Sequence, residues 1–210
     1  MHPDAYAVLA HEAEVEIRIK GSRFLALALP VSSEADARSS LLRLRGLHPD
    51  ASHHCWALRT GPPAAALERF SDDGEPGGSA GPPIARAVTS SGMSDLICVV
   101  IRWFGGTKLG VGGLIRAYGQ AARDCLAGAE RGELLHRILL AGSFSYEIEA
   151  PLRSLLARGR GRIYKSDYDD MVNWLVEVPP SFEDEFKKTA ADLSRGRLEF
   201  KAIEDESGSG

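Results

Sequence analysis

Polar and apolar residues alternate with period two along EVEIRIK (14–20), the pattern of a half-buried strand. Gly21-Ser22 is a turn signal, and RFLALALPV (23–31) reads as the returning strand of a hairpin. A helix is predicted over EADARSSLLRLRGL (34–47), capped by Ser32 or Ser33 and ended by Gly46 and Pro49. HHCWALRT (53–60) is strand-like, and GPPAAA after it is a loop. Ser79 is the predicted cap of a helix that tolerates Pro82 and Pro83 in its first turn and runs to about Ser91. The most apolar run, DLICVVIRWF (95–104), is the predicted central strand, and a long helix follows over 113–130.

From about Leu134 the pattern changes. Strands are predicted at 138–147, 161–169 and 171–179, the last two around an Asp-Asp turn, with a closing strand at 197–203. Helices are predicted at 147–158 and 181–196, the second with Ser181 as its cap and Glu183–Glu185 in the first turn, where the dipole favours acids. The order β-α-β-β-α-β is the split βαβ, ferredoxin-like arrangement. The expected class is therefore α+β, with domains at 1–133 and 134–204 and a disordered tail at 205–210.

With 210 residues, 44% hydrophobic and 26% charged, the chain has the composition of a globular protein with a sizeable core. The net charge of −4 is uneven: residues 1–132 balance at 14 basic and 14 acidic, and residues 133–210 carry the whole excess. Neither part is strongly basic, so nucleic-acid binding has to rest on local patches. The N-terminus shows no signal or membrane segment, and Cys55, Cys98 and Cys125 are unpaired in spacing. The expectation is a cytoplasmic protein without disulfides and away from membranes.

Two loops concentrate the candidate chemistry. RFSDDGEPGGSAGPPIARAV (69–88) holds Asp72, Asp73 and Glu75, which could ligate Mg²⁺, act as acid or base, or serve turn bonds and solvent. IRWFGGTKLGVGGLIRAYG (101–119) carries Gly105, Gly106, Gly110, Gly112 and Gly113 with Arg102, Lys108 and Arg116. Between Leu96 and Arg123 there are four basic residues and no acid. Such a loop before a helix is either an anion-binding nest or tight glycine packing. It matches neither GxxxxGK[ST] nor GxGxxG, which leaves nucleotide hydrolysis and dinucleotide binding without support.

His53 and Cys55 share a strand face, where the cysteine is a zinc ligand, a nucleophile or a small core residue. His53 and Arg59 are expected to line one cleft with the two loops, where the acids would orient Lys108, Arg102 or Arg116 around a phosphate. His48, His53 and His54 do not make a metal site by themselves. A second basic run, Arg153, Arg158, Arg160, Arg162 and Lys165 with Tyr164, suits phosphate contact and base stacking, or is a solvated helix end.

SDDGEPGGSAGPPI followed by VVIRWFGGTKLGVGGLIRAYG resembles the double motif of the YigZ/IMPACT family, and KGSRFLALALPV and HHCWALR resemble it too. The resemblance implies a ribosomal-protein S5 domain 2-like fold for the N-terminal domain and a ferredoxin-like C-terminal domain resembling one in translation elongation factors. It implies a role in regulating translation and no established reaction or cofactor. The function expected is binding of RNA, a ribosome or a translation factor through the glycine-rich cleft. The alternatives are an enzyme on a phosphorylated small molecule at that cleft, with catalytic residues unassigned, or a protein-interaction module.

Overall fold

The computed structural model describes residues 2–203, and the tail expected at 205–210 lies outside them. The chain divides into two compact units, one of residues 6–134 and one joining residues up to Ala5 with those from Leu135 onward. The expected 1–133 span thus differs at its start, where the first residues group with the second unit. There the Asp4 carbonyl accepts from His136 N at 2.9 Å.

The first unit runs β1 (Ala5–Leu9), β2 (Ala13–Ile19), β3 (Ser22–Pro30), α1 (Glu34–Leu47), β4 (His53–Thr60), β5 (Leu67–Ser71) and α2 (Gly81–Ser91). It continues through β6 (Met93–Ser94), β7 (Leu96–Trp103), α3 (Val111–Gly128) and β8 (Arg131–Leu135). Its main sheet has the order β2-β3-β7-β4-β5, and every neighbouring pair is antiparallel. β7 is central, as its unbroken apolar run required, because both of its faces are covered. Cys98 and Val100 pack with Phe24, Ala57, Ile84 and Tyr118 on the α2–α3 side. Ile97, Val99 and Ile101 meet Leu41 and Leu44 of α1 on the other.

Ser33 caps α1, its hydroxyl accepting from Asp36 N at 3.1 Å. Three short strands, β1, β6 and β8, form a separate sheet that the sequence pattern did not reveal. None exceeds five residues, too short for alternation to register. β5 was missed for the same reason, being a five-residue edge strand with exposed Glu68, Arg69 and Phe70.

The second unit runs β9 (Ile138–Phe144), α4 (Glu149–Arg158), β10 (Arg162–Tyr168), β11 (Val172–Val178), α5 (Glu183–Leu193) and β12 (Lys201–Ile203). Its sheet order is β10-β11-β9-β12, again antiparallel throughout. Leu152, Leu155, Leu156 and Phe186 of the helices pack on Leu140, Trp174 and Val176 of one sheet face. The closing strand is shorter than its pattern suggested, because Leu198 and Phe200 plug this core before β12 begins. Ser181 does not cap α5: it lies in a short 3-10 turn and bonds the Asp4 carboxylate instead.

One contact fixes the glycine loop to the β2–β3 turn. A Cβ on Gly105 would lie 1.9 Å from the carbonyl carbon of Gly21, which itself needs its φ of +83°. Gly105→Ala should therefore cost about 3 kcal/mol or more, since the clash is with backbone that cannot rotate away. Gly46 in α1 has nothing within 4 Å and an ordinary φ. Gly46→Ala should stabilise by about 0.5 kcal/mol, and urea unfolding of both variants reads the opposite signs.

Candidate functional site

The three acids of the 69–88 loop go to three different partners. The Asp72 carboxylate accepts from Ala80 N and Gly81 N on one oxygen and Gly78 N on the other, each at 2.8 Å. It is the anion at the N-terminus of α2, where Ser79 was the predicted cap. The Ser79 hydroxyl is buried and has no partner among the described residues. Burial pushes the Asp72 carboxyl up, but the three N–H groups together outweigh it and hold the group below its ordinary range. Asp73, at φ 43°, reaches Arg45 of α1 and the backbone N of His54, both at 2.6 Å.

Glu75 turns inward. Its side chain is 3% exposed and bonds Arg102 Nη1 at 2.6 Å, while the Tyr118 hydroxyl donates to the same oxygen at 2.7 Å. His53 Nε2 is 3.9 Å from it, and His53 Nδ1 donates to the Asp73 carbonyl at 2.8 Å. Arg102 also reaches Ser22 Oγ at 3.4 Å, the hydroxyl that accepts from Gly105 N at 3.2 Å. Acidic loop, β4, β7, α3 and the β2–β3 turn thus meet at one buried ion pair. With its carboxylates divided this way the acidic loop is no metal cage, and the described residues contain no group of three or more potential metal ligands.

Above the pair lies the glycine loop. Gly106 and Gly110 have φ of +83° and +72°, and a Cβ at either would meet nothing within 4 Å. A Cβ on Gly113 would lie 3.0 Å from the Leu109 side chain, and one on Gly112 would lie 3.8 Å from the Arg116 guanidinium. α3 starts at Gly110 with no side-chain cap. Lys108 and Arg116 are exposed and make no ion pair with a described residue.

Of the expected cleft partners, only Glu75 and Arg102 contact one another directly as acid and base. The acids do not orient Lys108 or Arg116. Arg59 is not in the cleft: it lies six residues beyond His53 on β4, about 20 Å at strand rise. There it is buried against Glu68 at 3.3 Å and the Met93 carbonyl at 3.3 Å. Cys55 is fully buried, burial pushes its thiol up to about 12, and Sγ donates to the Asp72 carbonyl at 2.9 Å. It is a core residue, as are the buried Cys98 and Cys125.

The second basic run is largely neutralised. Arg153 pairs with Glu149 at 2.7 Å, Arg158 with Glu185 at 2.5 Å, Arg162 with Glu177, and Lys165 with Asp167 at 3.1 Å. The run contains no acid, but folding brings acids from α4, α5, β10 and β11 onto it. Arg160 has no ion pair among the described residues, and its φ is 56°. Tyr164 is 64% exposed at a bulge of β10.

A family model described as the Impact N-terminal domain matches residues 20–126. The IMPACT family member YigZ of Escherichia coli K12 is 35% identical over 205 residues, 96% of this chain and 100% of that protein. The chain belongs to the IMPACT family. A Thermus thermophilus IMPACT family member is 38% identical over 181 residues, 86% of this chain and 97% of that one. A crystal structure described as that of a hypothetical protein superposes with a TM-score of 0.74 at 34% identity, covering 97% of this chain and 99% of that one. The span matched by the IMPACT model holds every residue of the buried network, from Ser22 to Tyr118.

Sequence reasoning missed Ser22, Arg45 and Tyr118. Tyr118 had a signal: it falls on the apolar face of α3 with Leu114, Ala117 and Ala121, where a hydroxyl requires a buried partner.

Two variants separate the roles of the acids. Glu75→Ala strands the Arg102 charge and should cost about 3–5 kcal/mol in urea unfolding. Asp72→Ala removes a cap and should cost about 1–2 kcal/mol. Because its folded pKa is depressed, Asp72 contributes fully above its unfolded value of about 4 and loses that contribution as pH falls through the lower folded value. Asp72→Asn should therefore flatten the loss of stability below about pH 4.

Proposed function

We propose that this IMPACT family protein is a translation-associated regulator that binds RNA, alone or in a ribosome, through the exposed face of the glycine loop and α3. The observation that carries the reading is a contrast between two basic surfaces. In the second unit, four of the five cations at 153–165 are matched by carboxylates. In the first unit, Lys108, Arg116 and Arg123 are exposed, and none is ion-paired with a described residue. Unmatched cations are the ones a polyanion can neutralise with release of its counterions. Arg116 and Arg123 lie seven residues apart on α3, hence about 10 Å along one helix face.

The reading makes the chain a binding protein of the cytoplasm rather than an enzyme. Near the loop, Glu75 is held by Arg102 and Tyr118 and the Cys55 thiol is shut in the core, so neither is free to act as a base or nucleophile. Among the described residues no helix is long and apolar enough to cross a membrane. We further propose that the first unit is S5 domain 2-like and the second ferredoxin-like. The β-α-β-β-α-β order and the sheet order β10-β11-β9-β12 support the second assignment.

Filter binding of total RNA and ribosomes across a salt series tests the reading. Lys108→Ala/Arg116→Ala should weaken binding at low salt and reduce the log–log salt slope by about 1.4, two contacts at about 0.7 each on single strands. Arg160→Ala/Arg162→Ala should change binding much less. The reverse order of effects, or no low-salt binding by the unaltered protein, overturns it.

A further inference from the structure

We infer that Phe104 is a stacking platform for an unpaired base, and that the strand bound at the glycine loop is single-stranded RNA. The inference rests on the RNA reading above and specifies the form of nucleic acid. Phe104 is 50% exposed, although it directly follows β7, whose side chains are buried from Leu96 to Arg102. Its exposure is built into the backbone. Its own N–H donates to Ser52 Oγ at 3.2 Å, and the next N–H, that of Gly105, donates to Ser22 Oγ at 3.2 Å. Gly105 is wedged against Gly21, so the loop cannot slide to bury the ring.

The ring also lies near a buried cation. The Arg102 guanidinium carbon lies 5.6 Å from its centroid, and that guanidinium is fixed in turn by Glu75. An exposed aromatic on a fixed backbone, four residues before Lys108 in the loop that leads into the helix of Arg116, combines the two elements of single-strand recognition, a π-face for a base and cations for its phosphates. Charge decides the occupant. A protein partner would meet the apolar ring and Val111, which is 53% exposed, but would have to supply acids for every nearby cation. A nucleic-acid strand supplies one phosphate per nucleotide. A duplex offers phosphates but keeps its bases stacked internally, so it cannot use the ring.

The test is fluorescence anisotropy of the full chain with a labelled 12-nucleotide oligouridine and with a blunt RNA duplex of the same length at one salt concentration. Phe104→Ala, Phe104→Leu and Lys108→Ala/Arg116→Ala are titrated alongside, with thermal melting of each to show that it folds. The expected result is single-strand affinity above duplex affinity. Phe104→Ala should lose about 5- to 150-fold on the single strand, from typical base–aromatic stacking strengths. Phe104→Leu, which keeps apolar area without the π-face, should lose nearly as much. Neither should alter the salt slope, because a phenyl ring neutralises no phosphate. Equal affinity for both RNAs with unchanged Phe104 variants, but loss in Lys108→Ala/Arg116→Ala, overturns the stacking inference and leaves the RNA reading standing. No binding of either RNA, including by the unaltered chain, overturns both.

Discussion

The first unit is organised around the buried pair of Glu75 and Arg102, with side chains 3% and 6% exposed. Two charges so far from water are tolerated only with good geometry and further hydrogen bonds. Tyr118 and Ser22 provide these, and each belongs to a different element. The pair therefore ties a loop, a strand, a helix and a hairpin turn together at one end of the sheet. The glycine loop above it inherits its position from that junction through Ser22 and Gly105.

The large elements were legible in the sequence. β4 matched its predicted span of 53–60, α1 its 34–47, and β7 its central place, because each has length and period enough to express one environment. The second unit's element order was equally readable. What escaped was short: β1, β5, β6 and β8 carry too few residues for alternation, and β1 also pairs with strands remote in sequence. Caps misled in two places. Ser79 and Ser181 have a capping side chain but sit one residue before the N-cap positions, Ala80 and Phe182, and the carboxylates of Asp72 and Asp4 take part instead.

At the candidate site, residue types were readable and their partners were not. The acids and bases of the two loops were found in sequence, but Asp72, Asp73 and Glu75 each chose a partner that only the fold brings near. Arg59 was grouped with His53 in one cleft on the expectation that their strand lies beside the two loops, whereas only the His53 end of β4 does. The arginine run at 153–165 looked as basic as the glycine loop in one dimension. Its neutralisation by Glu149, Glu177 and Glu185 is a property of three dimensions.

That neutralisation bears on how a partner arrives. Paired charges form short dipoles whose fields cancel within a Debye length, about 8 Å at physiological salt. The basic run of the second unit therefore gives a polyanion little to hold. The unmatched cations of the glycine loop and α3 keep a field of the opposite sign. A negatively charged partner within a Debye length of the surface is thus attracted at the glycine loop and α3 and not at the neutralised run. Orientation on encounter is then set by local electrostatics at the surface, and it fades as ionic strength rises.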